Sequence, residues 1–260
     1  MKIDRPAIGA PCWVELATVE PDASKVFYRE LFAWRTETDL RPEAGGYTAL
    51  MLGAEPVAGL SPLRTSGQPT TWTVSFAVPD ADAAAQAVRA AGGRILAEPV
   101  EVLDLGRFAV AADPGGAAFA LWQARAFNGT TLIDEPGSLG WVELATRDTA
   151  AAKEFYPRVL GWSVTVGEMY TQWGLPGRDF GGMTDMADQF PADAAPYWMP
   201  YFAVADVDTT AERAAVLGAT VVLPPTDVPD GPRLAVLRDP QGAVLGIHVA
   251  GTVAEPVGKP

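Results

Sequence analysis

One six-residue sequence, Trp-Val-Glu-Leu-Ala-Thr, occurs twice in this chain, at residues 13–18 and 141–146. The aromatic residues that follow the two copies match at the same separation of 128 positions: Phe27 with Phe155, Tyr28 with Tyr156 and Trp34 with Trp162. Further along, the separation is 126, and it pairs residues 76–78 with 202–204, Asp80 with Asp206, Arg107 with Arg233, and Asp113-Pro114 with Asp239-Pro240. A repeat of this length, kept in register by rare residue types, predicts a duplicated domain rather than a solenoid of short units.

The composition excludes several classes of partner. The chain of 260 residues is long enough for two domains that each bury a core of their own. With a formal net charge of −13 and no run of Lys or Arg, it should not bind nucleic acid or an anionic membrane surface, because their phosphates would be repelled. The N-terminus lacks the apolar segment of a signal peptide, and no stretch approaches the roughly 20 apolar residues of a membrane span. We therefore expect a cytoplasmic protein.

Apolar periodicity predicts the same order of elements in both halves. Residues 12–18 alternate as a strand, with Trp13 and Glu15 on one face. A helix should start at Pro21, and Asp80 should cap a second, alanine-rich helix that Gly92 ends. Short strands fill the intervals, at about 34–40, 46–53, 55–61 and 71–78, with three more up to residue 122. Each half is therefore predicted to contain two consecutive βαβββ modules.

We expect domains over residues 1–126 and 138–260, a linker over 127–137, and a frayed tail over 255–260.

Three short motifs resemble those of the vicinal oxygen chelate superfamily, which includes glyoxalases, bleomycin-resistance proteins and extradiol dioxygenases. They are a Phe-Tyr pair in the first helix of each half, a Gly-Trp or Ala-Trp after it, and a closing Asp-Pro-x-Gly, as at 155–156, 161–162 and 239–242. The opening Trp-x-Glu-Leu-x-Thr is similar to a tandem actinobacterial branch labelled hydroxylase or glyoxalase-like. The resemblance implies an α+β fold of tandem glyoxalase-like domains, in which four βαβββ modules form open cup-shaped sheets. It leaves open whether each cup is built within one half or across both.

The resemblance also implies where a metal would be held. Metal-using relatives carry His or Gln at the first inward position of the opening strand, a His on the strand that opens the second module, and a Glu near the end of the last strand. In this sequence those positions hold Trp13, Thr73 and Ala120 in the first half, and Trp141, Met199 and Gly246 in the second. Such sites need imidazole and carboxylate ligands, and the chain has one histidine. We expect no metal; a mixed carboxylate site for Mg²⁺ or Ca²⁺ is the alternative, although the sequence has no clustered acidic motif such as an EF-hand loop. Without a phosphate-binding or dinucleotide motif we expect no other cofactor.

A tryptophan and a carboxylate, two residues apart, recur on the inward face of each opening strand. In the first half they are Trp13 and Glu15, and in the second Trp141 and Glu143. An indole wall beside a carboxylate suits an amphiphilic aromatic ligand, and Glu15 and Glu143 are the candidates for a general base. The alternative is structural: each carboxylate bonds backbone amides or an arginine and holds the modules together, and the repeated Arg107 and Arg233 are the candidate partners.

The remaining candidates for ligand contact lie on the other inward strands. Thr73, Met199 and Tyr201 face the cups, and the small Gly246 beside Tyr201 predicts room for a flat ligand in the second cup. Trp122 and His248 occupy equivalent strand ends, where a lone histidine is more often hydrogen-bonded than an acid–base group. The single cysteine, Cys12, allows no disulfide within the chain, and without a base partner it is a poor nucleophile.

These observations favour a metal-independent protein that binds an aromatic or amphiphilic metabolite or antibiotic, as drug-resistance members of the superfamily do. The alternative is a metal-free enzyme of secondary metabolism, an isomerase, cyclase or hydroxylase-like protein, that uses an inward Glu as its base. A third possibility is a scaffold protein, whose two halves only form a stable pseudo-dimer. Turnover would distinguish the enzyme from the binding protein. The chain should be a monomer with an internal pseudo-dimer, or a homodimer.

Overall fold

In the computed structural model, which describes residues 1–65, 67–167, 170–187, 190–229 and 231–251, each half folds into two βαβββ modules. The first half contains β1 (Pro11–Thr18), α1 (Pro21–Phe32), β2 (Arg35–Thr38), β3 (Thr48–Leu52), β4 (Glu55–Pro62), β5 (Thr71–Ala77), α2 (Ala81–Ala90), β6 (Arg94–Val102), β7 (Gly106–Ala112) and β8 (Ala118–Ala124). The second half contains β9 (Leu139–Thr146), α3 (Thr149–Leu160), β10 (Ser163–Val166), β11 (Thr171–Leu175), β12 (Arg178–Asp185), β13 (Tyr197–Val204), α4 (Val207–Val216), β14 (Thr220–Asp227), β15 (Arg233–Arg238) and β16 (Val244–Val249).

Each half builds one eight-stranded sheet from its own strands. The order is β2-β3-β4-β1-β5-β8-β7-β6 in the first half, and β10-β11-β12-β9-β13-β16-β15-β14 in the second. At the centre of each sheet the two modules meet through an antiparallel pair, β1 with β5 and β9 with β13. The expected α+β fold of tandem glyoxalase-like domains is confirmed, and both modules of a cup come from the same half.

Loops from the two outer edges of the first sheet lie within electrostatic reach of each other. The pKa of the Arg41 guanidinium, between β2 and β3, is raised by its hydrogen bonds to Asp39 and also by the charge of Asp104. Asp104 lies in the turn between β6 and β7, at the opposite edge of the sheet. We call the concave face around Trp13 and Glu15 the first cup, and the matching face around Trp141 and Glu143 the second cup.

The period of two along β1 separates a helix-side core from the cup. Val14 and Leu16 are fully buried in the large core beneath the helices, whereas Trp13 belongs to a separate cluster on the opposite face. The predicted faces of this strand are therefore confirmed.

The predicted start of the second helix is confirmed as well. The Asp80 carboxylate caps α2, because it accepts a hydrogen bond from the Ala83 amide at 2.8 Å.

The helix-side core is continuous across the two halves. Phe202 of the second half packs against Trp34 and Trp72 of the first, with each pair of ring centres 5.2 Å apart. Phe76 of the first half packs in the same way against Trp162 of the second, at 4.9 Å. The four tryptophans predicted to lie in the core, at 34, 72, 162 and 198, are all buried there.

Two buried hydrogen bonds join the halves through the residues of the repeated motifs. The Tyr28 hydroxyl in α1 donates to Asp239 Oδ2 at 2.8 Å, and the Tyr156 hydroxyl in α3 donates to Asp113 Oδ2 at 2.9 Å. Each aspartate also accepts backbone amide hydrogen bonds within its own Asp-Pro-x-Gly turn. Each tyrosine oxygen accepts in turn from a buried indole, Trp72 Nε1 at 3.2 Å for Tyr28. The Phe-Tyr motif of one half is therefore bonded to the Asp-Pro motif of the other.

The change in repeat separation from 128 to 126 is the net result of two loops. Between β2 and β3 the first half has nine residues (39–47), whereas the second has four between β10 and β11 (167–170). Between β4 and β5 the first half has eight residues (63–70), and the second has eleven (186–196). The sequence indicated a two-residue deletion, and the structure resolves it into a shorter loop followed by a longer one.

The segment predicted as a linker is held by both halves. The Thr130 amide donates to the Cys12 carbonyl of the first half at 2.8 Å, and the Gly137 amide donates to the Ala203 carbonyl of the second half at 2.8 Å. The predicted fraying of residues 255–260 lies outside the described residues. Within the part of the chain that is described, the helices are too short or too polar to cross a membrane.

Removing the Tyr28 hydroxyl should weaken the seam between the halves. Tyr28→Phe leaves the Asp239 oxygen and the Trp72 indole N–H without their buried partner, so we expect the free energy of unfolding to fall by about 1–3 kcal/mol. Tyr156→Phe should cost a similar amount, because its contacts repeat those of Tyr28. Urea denaturation followed by tryptophan fluorescence measures both. Tyr197→Phe, at a half-buried position in the second cup, is the control and should change stability little. Wild-type stability in both motif variants would contradict the assignment.

Candidate functional site

The first cup holds two pairs of hydrogen-bonded side chains on neighbouring strands. Trp13 Nε1 donates to the Tyr47 hydroxyl at 2.9 Å, and Glu15 accepts from the Ser61 hydroxyl at 2.8 Å. Phe127, from the segment after β8, lies edge-on to Trp13 with ring centres 4.9 Å apart. Trp13 is buried, whereas Glu15 and Tyr47 remain half-buried. The carboxylate and the phenol are therefore the polar groups that this cup offers to a small molecule.

The second cup repeats the arrangement with a closer network. Trp141 Nε1 donates to the Tyr170 hydroxyl at 3.1 Å, and that hydroxyl donates to Glu143 Oε2 at 2.8 Å. The Tyr201 hydroxyl approaches the other carboxylate oxygen of Glu143 at 3.3 Å. Thr184, which occupies the position of Ser61, also hydrogen-bonds to Glu143. The carboxylate of the second cup is thus surrounded by hydroxyl groups of its own protein.

A glycine on the neighbouring strand makes room for the tyrosine in each cup. Gly59 pairs with Glu15 in the register of β4 with β1, and a Cβ atom there would overlap the Tyr47 hydroxyl. Gly182 pairs with Glu143 in the same way, and a Cβ atom there would overlap the Tyr170 ring. Each tyrosine therefore lies directly over its glycine. The tryptophan, tyrosine, glutamate and glycine form one unit that occurs once per half.

Burial dominates the protonation of both glutamates. It raises the pKa of the Glu15 carboxyl, against the opposing effects of the Ser61 hydrogen bond and the charge of Arg64. Burial likewise raises the pKa of the Glu143 carboxyl, although hydrogen bonds from Tyr170, Thr184 and Tyr201 lower it. A carboxyl group whose pKa is raised by burial in such a site is a candidate for proton transfer.

The two repeated arginines, predicted as possible partners of these glutamates, pair with other carboxylates instead. Arg107 forms ion pairs with Asp82 (2.8 Å) and Glu101 (2.8 Å) at the surface of the first half. Arg233 does the same in the second half, with Asp208 and Asp227. The acidic residues in the first turns of α2 and α4, Asp82 and Asp208, are thus among the partners of these arginines. Neither arginine joins the cup carboxylates to the rest of the fold.

The predicted space beside Gly246 is filled. Tyr201 and Gly246 are paired in the register of β13 with β16, and a Cβ atom on Gly246 would overlap the Tyr201 ring. Tyr201 and Met199 are both buried, and they pack with Val236 as a small cluster that is separate from the helix-side core. The expectation of room for a flat ligand at this glycine was wrong, because the ring of the neighbouring residue occupies the volume that the glycine leaves.

Both opening strands have the same register irregularity, and a different residue occupies it in each cup. The register shifts between Pro11 and Trp13 in β1, so Cys12 is the extra residue, and its thiol is buried in one cluster with Trp13 and Trp122. The thiol donates to the Ser75 carbonyl at 3.3 Å, and burial raises its pKa. A buried thiol with a raised pKa is not a nucleophile, as the sequence indicated.

In the second half, Gly140 and His248 replace this thiol and indole. His248 is buried, its Nδ1 lies 3.0 Å from the Val249 carbonyl, and burial lowers the pKa of its imidazole. Among the described atoms, Nε2 has no hydrogen-bond partner, and a Cβ atom on Gly140 would overlap it. The imidazole therefore fills the space that the missing side chain of Gly140 leaves. The alternation that placed Trp122 with Ala120 and His248 with Gly246 is confirmed by the strand registers.

The residues present do not fit the metal of the superfamily. The six positions that correspond to metal ligands bear no imidazole or carboxylate. Each cup offers one glutamate with hydroxyl groups around it, a donor set that lacks the several charged or imidazole ligands of a divalent metal centre. Within the described ranges, no three His, Cys, Asp or Glu side chains are grouped so that they could hold a metal ion.

Adding a side chain at Gly140 should disrupt the packing of His248. Gly140→Ala places a methyl group where the buried imidazole lies, and overpacking of this kind costs about 1–3 kcal/mol of unfolding free energy. The control is the same substitution in a His248→Ala background, where the methyl group has space and should cost much less. Denaturation of the four proteins of this double-mutant cycle gives the coupling energy. Equal costs in both backgrounds would contradict the contact.

Comparison with known proteins agrees with the fold and the tandem repeat. The sequence profile of the Glyoxalase/Bleomycin resistance protein/Dioxygenase superfamily matches residues 12–121 and 138–247, once in each half. Among solved structures, the 2,3-dioxygenase LapB from Pseudomonas sp. KL28 superimposes with a TM-score of 0.69 at 14% identity, over 98% of this chain and 97% of that one. The Mn(II)-bound glyoxalase from Novosphingobium aromaticivorans gives a TM-score of 0.64 at 17% identity, over 97% and 86%.

Curated relatives align over nearly the whole length. The anthracycline biosynthesis protein DnrV of Streptomyces peucetius is 38% identical in an alignment 259 positions long that covers 93% of each chain. The "Putative glyoxylase CFP32" of Mycobacterium tuberculosis is 36% identical in an alignment of 249 positions that covers 92% of this chain and 94% of the relative. With both halves matched and full-length relatives at this identity, the chain is a member of the glyoxalase, bleomycin-resistance and dioxygenase superfamily.

Proposed function

We propose that this protein binds an aromatic or amphiphilic small molecule in a cup, without a metal ion, as part of secondary metabolism. The observation that carries the proposal is the repeated unit of indole, phenol and half-buried carboxylate on the concave face of each sheet. Aromatic walls with a few converging polar groups are typical of small-molecule sites. The positions that would hold a metal carry Trp13, Thr73 and Ala120 in the first cup.

The relatives support the metabolic context. DnrV and the DauV protein of Streptomyces sp. strain C5, which is 37% identical over 259 residues, are both named as anthracycline biosynthesis proteins. Anthracyclines carry a flat, fused-ring aromatic system, the shape that an indole wall accommodates by stacking or edge contact. The net charge of −13 favours a neutral or cationic ligand over an acidic one.

A metal-free enzyme is the second candidate, and one observation favours it. The carboxyl groups of Glu15 and Glu143 lie in the cups, burial raises the pKa of each, and neither arginine proposed as a partner reaches them. A base with these properties could move a proton in an isomerisation or cyclisation. Glu15→Gln and Glu143→Gln would keep the aromatic contacts to a ligand in either case, and they would abolish turnover if the protein is an enzyme.

The purified protein should carry no stoichiometric transition metal. The reason is the donor set, since one carboxylate with hydroxyl groups binds these ions weakly. Elemental analysis by plasma mass spectrometry, after purification without chelators, should find far less than one Mn, Fe, Ni or Zn per chain. One ion per chain that disappears in Glu15→Gln or Glu143→Gln would contradict metal independence.

Removing the indole of the occupied cup should weaken binding of a flat aromatic ligand. We expect Trp13→Ala or Trp141→Ala to lower the affinity at least tenfold, about 1.4 kcal/mol, because the ligand loses a rigid aromatic contact surface. Isothermal titration calorimetry with naphthols and hydroxyanthraquinones measures the effect. Val216→Ala, at an exposed position on α4, is the control and should bind as the wild type does. Wild-type affinity in both tryptophan variants would place the ligand outside the cups.

A further inference from the structure

The two cups differ at matched positions around their glutamates. Opposite Glu15 on the central strand pair lies Thr73, whereas Met199 lies opposite Glu143. At the next inward position the first half has Ser75 and the second has Tyr201. Two short side chains in the first cup thus correspond to two long ones in the second.

Solvent exposure follows this difference. Thr73 and Ala17, beside Glu15, are both half-buried, so this part of the first cup is open to a small molecule. The corresponding Met199 and Ala145 in the second cup are only 4% and 3% exposed. The neighbours of Glu143 on the central strand pair are therefore more deeply buried than those of Glu15.

The hydrogen bonds differ in the same sense. Tyr170 and Tyr201 supply hydroxyl groups to the two oxygens of Glu143, at 2.8 and 3.3 Å. In the first cup, Glu15 accepts from Ser61 at 2.8 Å, and the Tyr47 hydroxyl accepts from the indole of Trp13. Among the hydrogen bonds of the described residues, none joins Tyr47 to Glu15. Glu15 therefore retains acceptor capacity beside a phenol that can donate.

From this asymmetry we propose that the first cup is the ligand site and takes a hydroxylated aromatic ring, whose hydroxyl group donates to Glu15. The second cup is closed by Tyr201, an aromatic ring with a hydroxyl group that lies over Gly246 and reaches Glu143. Tyr201 thus shows, within the protein, the kind of group that a carboxylate in this setting binds. The inference rests on the proposed function, because it assumes that a cup binds an aromatic molecule.

The chemistry of the first cup selects a neutral phenol over related compounds. A carboxylate accepts a hydrogen bond, so an aryl ether of the same shape would leave its oxygen lone pairs facing Glu15 without a donor. A carboxylic acid would bring a second negative charge to a half-buried carboxylate. The Tyr47 hydroxyl can in turn donate to the oxygen of a bound phenol. Sites built on a polar pair of this kind reject analogues that lack the hydroxyl group more strongly than they reject changes in apolar size.

One test compares 2-naphthol with 2-methoxynaphthalene, in which the hydroxyl group is capped. Calorimetry on the wild-type chain should show one site for 2-naphthol and at least tenfold weaker binding of the ether. Glu15→Gln should reduce this preference at least threefold, since a neutral amide oxygen is a weaker acceptor than a carboxylate. The matched variant Glu143→Gln should leave the preference unchanged. A preference that depends on Glu143 and not on Glu15 would overturn the assignment to the first cup.

A second test opens the other cup by giving it the residues of the first. Met199→Thr combined with Tyr201→Ser should raise the stoichiometry of 2-naphthol from one to two sites per chain. If the double variant fails to fold, Tyr201→Ser alone is measured, and unchanged binding at the first site reports that the fold is intact. A stoichiometry that stays at one in a folded variant would overturn the closure by Tyr201.

Binding of both naphthalenes with equal affinity would overturn the phenol inference and leave the proposed function standing. Binding of neither would overturn the proposed function itself.

Discussion

The hydrogen bond between the tyrosine of one half and the aspartate of the other sets the arrangement of this protein. Tyr28 reaches Asp239 and Tyr156 reaches Asp113, both in a core that excludes water. A buried carboxylate is costly without donors, and each aspartate finds them in its own turn and in the opposite helix. The indoles of Trp72 and Trp198 donate to the same tyrosine oxygens, so the central strands are tied to this point as well. The two sheets consequently share one core and direct their concave faces away from it.

This shared core is formed without the side chains that line the cups, which pack in separate small clusters. Val14 and Leu16 hold β1 against the helices, so the residues between them can vary without loss of the main core. The cups do vary. At one end Cys12 and Trp122 correspond to Gly140 and His248, and in the middle Ser75 corresponds to Tyr201. What both cups retain is the indole, the phenol over a glycine, and the carboxylate. Retention of these groups on a surface that the core does not require is the reason to regard them as functional.

The sequence predicted the fold, and it predicted which face of each central strand lines a cup. The repeat and the apolar periodicity predicted the order of elements, and the family resemblance implied the cups. The placement of Trp72 and Trp198 in the core followed from the period of two along each strand. The tyrosines over the cup glycines were missed. Tyr47 and Tyr170 are 123 positions apart, because the loop before Tyr170 is five residues shorter, and a search at separations of 128 and 126 passes over them. The recurrence of Tyr-Thr at 47–48 and 170–171, with Gly59 and Gly182 at the same separation, was the available signal.

Two predictions failed because they depend on neighbours that a linear sequence does not specify. Gly246 indicated space, but whether a glycine leaves a cavity depends on the side chain across the strand pair, and here Tyr201 fills it. Arg107 was a plausible partner for Glu15, but in the structure it pairs with Asp82 at the start of α2. Local pattern determines orientation well, whereas pairing between charged groups is decided by distances that only the assembled fold provides.

The reciprocal seam also bears on how such a chain could arise. Residue 28 of the first half contacts the aspartate of the second, and the equivalent residue of the second half contacts the aspartate of the first. Such a contact is isologous, the signature of a two-fold symmetric dimer. Two identical chains with this seam would have identical cups, so a tyrosine that closes one would close both. Joining the copies in one gene removes that constraint, and each cup can then mutate separately while the ancestral interface is kept.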